Sequence, residues 1–269
     1  MTAPTTATTL TPELKTLLRR VKLGKTLDTL PERLTLARTS KLTHAEFLEL
    51  VLADEVTRRD QQSATLRART AKLDPSMTLE AWDADAAVTY DTHIWAELTS
   101  LRFVDNANSV LILGPVGVGK SHLAHALGHI ACRRGRKVHA ERADRLFKRL
   151  RAARLDHTHD IEMRRLIAVD LLIIDDFALQ ALDPTETTDF YELVVERHLK
   201  SATLVTSNRD PNEWLAALAD PLLAQSAIDR LQSSAWELIV EGESYRRRQK
   251  PTLTDRPTPD PTTSKETRR

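Results

Sequence analysis

Eight residues, Gly114-Pro115-Val116-Gly117-Val118-Gly119-Lys120-Ser121, constrain this chain more than any other stretch. They fit G-x-x-x-x-G-K-[ST], the pattern of a loop that wraps a phosphate chain. The run before them, Ser109-Val110-Leu111-Ile112-Leu113, is what a strand buried on both faces looks like. After them, Leu123, Ala124 and Ala126 open a good helix. Phosphate oxygens need backbone N–H groups pointing inward, and glycines let a chain curl that tightly. A helix opening near Lys120 adds unpaired N–H groups and a partial positive charge. In such a loop the lysine reaches the β- and γ-phosphates and the following hydroxyl sits on Mg²⁺. The residues expected around ATP are therefore Gly114, Pro115, Val116, Gly117, Val118, Gly119, Lys120, Ser121 and His122, with Lys120 on the phosphates and Ser121 on the metal. Three of the chain's seven glycines fall inside this loop, which argues against a chance turn.

Four further apolar runs follow. They are 137–140, 170–174 ending in Asp175-Asp176, 203–207 ending at Asn208, and 236–240. Helical stretches separate them. Asp183-Pro184-Thr185-Glu186 and Asp210-Pro211-Asn212-Glu213 each combine a capping Asp, Pro at the first position and Glu at the third. The expected fold class is α/β, a five-stranded parallel sheet between helices. Right-handed crossovers would put a ligand at the carboxyl ends of the strands. The glycine loop, Asp175, Asp176 and Asn208 all lie at such ends. Asp175 is expected to orient the metal and Asp176 to polarise an attacking water, although the pair could instead cap the next helix. Asn208 is expected to bond the γ-phosphate or that water; as a plain turn residue it would do neither.

At 269 residues the chain suits one large domain with an appendage. The expected division is a tail at 1–9, a small helical module at 10–73, a nucleotide domain at 74–249 and a Pro/Thr-rich tail from 250. In the module, Leu14, Leu17, Leu18 and Val21 recur at helical spacing. Thr43-His44-Ala45-Glu46 is a capping box leading into Phe47, Leu48, Val51, Leu52 and Val56 on one face. With 39 basic against 38 acidic residues, no global field singles out a partner, so nucleic-acid contact must rest on local patches. One such patch is the module's Arg/Lys set (Arg19, Arg20, Lys22, Lys25, Arg58, Arg59, Arg67, Arg69, Lys72), where interspersed acids leave a solvated face as the alternative. The second is the helix at 144–154, where Arg142, Arg145, Lys148, Arg149, Arg151 and Arg154 surround an apolar seam with little acid among them. A lone Cys132, no apolar run of the ~20 residues a bilayer needs, and no signal-like start point to a cytoplasmic protein. His122, His125 and His129 share a helical face, but no acid or Cys joins them, which speaks against zinc.

GPVGVGKSHLA (114–124), DLLIIDDF (170–177), TSNRDPNEW (206–214), IDRL (228–231) and GESYRRR (242–248) together resemble the IstB family. These are ATP-binding helpers of transposition, AAA+ ATPases related to DnaC-type helicase loaders and DnaA initiators. The resemblance spans about residues 10–250. It implies a P-loop AAA+ core behind a small all-α N-terminal module, a homo-oligomer assembled on duplex DNA with ATP and Mg²⁺, and a transposase partner. Matched position by position, Lys120 and Ser121 fall on Walker A, Asp175 and Asp176 on Walker B, Asn208 on sensor 1, and Arg230 on the arginine finger that acts on a neighbouring subunit's ATP. Two departures stand out. Many AAA+ proteins carry Glu where this chain has Asp176, so slow turnover is expected. Too little chain follows Val240 for a full helical lid, which leaves Arg246 or Arg247 as the candidates for a sensor-2 arginine. The resemblance also accommodates a helicase loader, or a nucleotide-gated DNA scaffold with negligible hydrolysis.

Overall fold

The computed structural model describes residues 10–83 and 88–245. The expectations for the tails at 1–9 and 250–269, and for Arg246 and Arg247, lie outside the described residues. In chain order the elements are α1 (Pro12–Arg20), a 3-10 turn (Gly24–Asp28), α2 (Leu30–Thr39), α3 (His44–Thr70), β1 (Val88–Thr89), α4 (Thr92–Ser100), α5 (Arg102–Asp105), β2 (Ser109–Leu113) and α6 (Lys120–Arg133). They continue with β3 (Val138–Arg142), α7 (Ala143–Leu155), α8 (His159–Ile167), β4 (Leu171–Phe177), α9 (Pro184–Arg197), β5 (Ala202–Ser207), α10 (Pro211–Trp214), α11 (Pro221–Ser233), β6 (Ala235–Ile239) and β7 (Glu241–Gly242).

Five of the strands form one parallel sheet in the order β3-β4-β5-β2-β6. The apolar run of β2 is continuous because side chains alternate between two covered faces. Val110 and Ile112 join a core with Leu123 and Leu127 of α6 and Leu98 of α4. Leu111 and Leu113 point the other way, into a second core with Phe147 of α7, Phe190 of α9 and Trp214 of α10. Every residue of β2 and β5 is buried. The sheet is thus a layer between helices, as the apolar runs predict.

Helix starts follow local chemistry. The capping boxes of α3 (Thr43 with Glu46) and α9 (Asp183 with Glu186) are both formed. The Asp210 start yields only a single turn, α10, before a 3-10 turn at Leu215–Ala217. A second Asp-Pro pair, Asp220-Pro221, starts the longer α11. Helix α8 and the small antiparallel β1–β7 ribbon are additions to the sequence reading.

The end of α3 belongs to the core: Ala68, with Ala71 and Leu73 beyond it, packs beneath the sheet. The Ala71 carbonyl accepts from the Ala140 N–H (2.8 Å), so the outer edge of β3 is partly covered. The front of the module is more open. Leu14 and Leu17 of α1, Val21 just after it, and Leu48, Leu52 and Val56 of α3 are exposed. Polar contacts occupy the inner side of α3 instead, with Arg33 bonded to Asp54 (2.6 Å) and buried Glu55 held by Arg58 and Arg59 (2.6 and 2.7 Å).

Candidate nucleotide site

Strand β2 hands the chain to the glycine loop, and the loop hands it to α6. Gly114, Gly117 and Gly119 take φ values of 145°, 91° and 98°, a region costly for any residue with a Cβ. All three are also crowded from outside the loop, Gly119 by the ring of Trp82. A Cβ on Gly114 would lie 2.0 Å from the Val240 carbonyl oxygen, and one on Gly117 would lie 2.2 Å from Ser244 Oγ. The Tyr245 N–H donates to the Gly117 carbonyl (3.0 Å), so the segment after β7 is fastened to the loop. Val118 is buried, whereas Pro115 and Val116 are exposed.

Lys120 is buried, and its Nζ donates to the carbonyls of Gly114 and Pro115 (2.7 Å each), which draws the ammonium across the mouth of the loop. Ser121 Oγ donates to Asp175 Oδ1 (2.8 Å), and Thr206 Oγ1 donates to the same oxygen (2.6 Å). Two adjacent strands, β4 and β5, and the first turn of α6 therefore converge on one buried carboxylate. Its second oxygen and the Ser121 hydroxyl are the hard oxygen donors that Mg²⁺ favours, and that ion keeps several of its own waters. The residues present fit the metal.

The acidic pair is split by the backbone. The β4–β5 register shifts between Ile174 and Phe177, and Asp176 takes φ 54°. This irregularity turns Asp175 inward and leaves Asp176 half-exposed, its carboxylate 3.6 Å from the Arg142 guanidinium. The Asp176 N–H donates to Thr206 Oγ1 (3.0 Å), so one hydroxyl fixes both acids. Asn208 is exposed at the end of β5, beside the loop: Leu113 pairs with Ser207, whose carbonyl accepts from the Gly114 N–H (3.3 Å). Asp175, Asp176 and Asn208 thus share the sheet edge with Lys120 and Ser121.

Arg230 lies elsewhere. It sits in the last turn of α11, half-buried, with its guanidinium folded back onto the Ser226 carbonyl (2.9 Å) and hydroxyl. Ala235 of β6 pairs with Ser109 at the start of β2, so Arg230 lies by the opposite end of the sheet from the loop. A strand length of roughly 15 Å separates it from its own chain's site.

The basic helix is not as the sequence suggested. Its arginines meet acids from neighbouring elements: Arg149 with Glu141 (2.7 Å) and Glu162, Arg151 with Asp183 and Glu186 (2.5 Å each), Arg154 with Asp189. Self-repulsion along α7 is relieved within the fold. Arg145 and Lys148, both exposed, make no such pair among the described residues. In the module, Arg67 donates to the Cys132 carbonyl (2.8 Å) and Lys72 pairs with Glu141 (2.8 Å).

The three histidines of α6 hold no metal group among the described residues. They bind backbone of residues 74–78 instead. Burial, the largest influence, lowers the pKa of His125 against the pull of Asp175 and Asp74, and its Nδ1 accepts the Asp74 N–H (3.0 Å). Sequence reasoning missed Thr206, Ser244 and Trp82. Thr206 opens the TSN corner and was readable as a strand-end hydroxyl. Ser244 and Trp82 carried no local signal.

A glycine loop between a central buried strand and a helix, facing two acids on the next strand but one, defines a P-loop nucleotide-binding protein of the AAA+ fold. The solved structure of AMPPCP-bound DnaA from Aquifex aeolicus superposes with a TM-score of 0.51 at 24% identity, over 61% of this chain and 50% of that one. The chain belongs to the family described as IstB-like ATP binding protein, whose model matches residues 16–252. It is 36% identical over 241 residues to a protein of Mycobacterium tuberculosis named as an ATP-binding protein in an insertion sequence, covering 89% of this chain and 96% of that one. It is 32% identical over 238 residues to the protein named for the same role in insertion sequence IS21 of Pseudomonas aeruginosa, covering 88% and 90%. No helix of the described residues is long and apolar enough to cross a membrane.

Proposed function

We propose that this protein is a cytoplasmic, Mg²⁺-dependent ATPase that assembles on duplex DNA and assists a transposase. The convergence of Ser121, Thr206 and Asp175 at the mouth of the glycine loop carries the reading. In it, the loop amides and Lys120 bind the phosphates, while Ser121 and Asp175 orient Mg²⁺, which supplies neutralising charge on the β- and γ-oxygens. Asp176 and Asn208 hold the attacking water. The 74–249 region performs this chemistry, and the 10–73 helices serve as its appended module.

Arg230 acts between copies. It is too far from its own nucleotide to touch it, and it precedes an edge strand where a second copy has access. A finger of this kind adds about 10³–10⁵ in rate. ATP then joins subunits by binding Lys120 of one and Arg230 of the next, and assembly follows nucleotide occupancy. Of the two basic patches, Arg145 and Lys148 of α7 and Arg19, Arg20, Lys22, Lys25 and Arg69 of the module have no acidic partner among the described residues, and these are the cations left to meet phosphates. Such contacts do not read bases, so binding is independent of sequence and weakens steeply with salt. Gel filtration and DNA binding with and without ATP test the proposal: ATP-dependent complexes that vanish in Lys120→Ala are expected, and complexes that persist in that variant would refute it. Affinity capture with the transposase and with a replicative helicase separates this role from helicase loading.

One observation favours a second reading, a nucleotide-gated scaffold with negligible hydrolysis. The short Asp176 side chain leans toward Arg142 (3.6 Å). Phosphate release with and without DNA decides: no stimulation and a negligible rate select the scaffold.

A further inference from the structure

The side chains of the three histidines of α6 all fasten one segment. His122 Nε2 donates to the Thr78 carbonyl (2.7 Å), His129 Nε2 donates to the Asp74 carbonyl (2.8 Å), and His125 Nδ1 accepts the Asp74 N–H (3.0 Å). Four residues past Thr78, Trp82 stands edge-on to the His122 ring, with centroids 5.2 Å apart at 70°. Tyr90 also meets it edge-on, with centroids 6.3 Å apart. The six-membered ring of Trp82 presses on the glycine that opens α6: a Cβ on Gly119 would lie 2.6 Å from Cζ3. Trp82 remains only half-buried.

That position has a chemical meaning. Lys120 marks the γ end of a phosphate chain held in such a loop, and the α-phosphate lies toward the opening turn of the helix. Sugar and base leave the loop from that end, past His122, and Trp82 borders that turn. An indole face offers any base a π surface to stack on, whichever base it is. A surface aromatic needs no such anchoring; this one is fixed by a segment with three histidine contacts and by two edge-on rings.

We propose that the base of the bound nucleotide stacks on Trp82, and that His122, His125 and His129 are positioning residues that hold the segment carrying it. The proposal rests on the nucleotide reading of the glycine loop and adds to it the side chain that meets the base.

Isothermal titration of the full chain with Mg²⁺ and either ATP or inorganic tripolyphosphate separates the two, because tripolyphosphate engages the loop and has no base. Trp82→Ala is expected to weaken ATP about 10- to 100-fold and to leave tripolyphosphate unchanged, which also reports that the variant is folded. Trp82→Phe, which keeps an aromatic face, is expected to retain most of the ATP affinity. Equal losses for ATP and tripolyphosphate in Trp82→Ala, or ATP binding as in the wild type, would overturn the proposal. A wild-type protein that binds neither probe would overturn the loop reading itself, and the proposal with it.

Discussion

Glu141 shows how one buried side chain ties separate parts of the chain together. Lys72 at the end of α3, His139 on the same strand and Arg149 on α7 all bond its carboxylate (2.8, 3.0 and 2.7 Å). Burial alone would raise its pKa, but the bonds from His139, Arg149 and Lys72 outweigh burial and hold the carboxyl well below the usual range. A depressed folded pKa means stability that is fully present above the unfolded value, near ~4.3, and lost as pH falls toward the folded one. Glu141→Gln should therefore lower stability by about 2 kcal/mol near neutrality. Its melting temperature should also fall less steeply than the wild type's on acidification below pH ~5, the two curves converging. Parallel curves would show that Glu141 is not the titrating group.

Among the elements, α7 joins the sheet to the surface. Leu146, Phe147 and Leu150 bury its inner face, while Arg149, Arg151 and Arg154 turn to acids on β3, α8 and α9. On the proposed reading, DNA contact by this helix falls to Arg145 and Lys148. Replacing both with Ala should weaken duplex binding and flatten its dependence on salt, by about 0.9 in log–log slope for each phosphate no longer neutralised, with no change in melting temperature. Replacing Arg151 and Arg154 should instead lower the melting temperature. A salt slope unmoved by the Arg145/Lys148 pair would exclude α7 from the DNA surface.

This element also marks how far the sequence could be read. Strands β2, β4 and β5 are legible because burial on both faces leaves an unbroken apolar run, and the caps at Thr43 and Asp183 are legible because capping is local. The acids that answer α7 come from positions 141, 162, 183, 186 and 189, and only the fold brings them near. The two-residue strands β1 and β7 are too short to show a period. Trp82 reaches Gly119 only through packing, so no spacing announced it. At the site, residue types at strand ends were readable, but the shared hydroxyl of Thr206 and the turned backbone of Asp176 were not.

For the whole molecule, the parallel sheet separates two ends. One carries the glycine loop, Asp175, Asp176 and Asn208; the other carries Arg230. On the proposed reading a protomer completes its site only with a neighbour, so activity should depend on protein concentration. Mixing Arg230→Ala with Lys120→Ala protein should restore part of the phosphate release that each lacks alone, since an intact interface can form with one partner's loop and the other's arginine. Absence of any rescue would place Arg230 outside the shared site.

All of this requires the strand tips to hold a nucleotide. Calorimetric titration of the purified chain with ATP, in the presence and absence of Mg²⁺, tests that most directly. Saturable binding that tightens with Mg²⁺ and disappears in Lys120→Ala is the predicted result. Heat indistinguishable from dilution in the wild type, or binding that survives the loss of Lys120 unchanged, would contradict it.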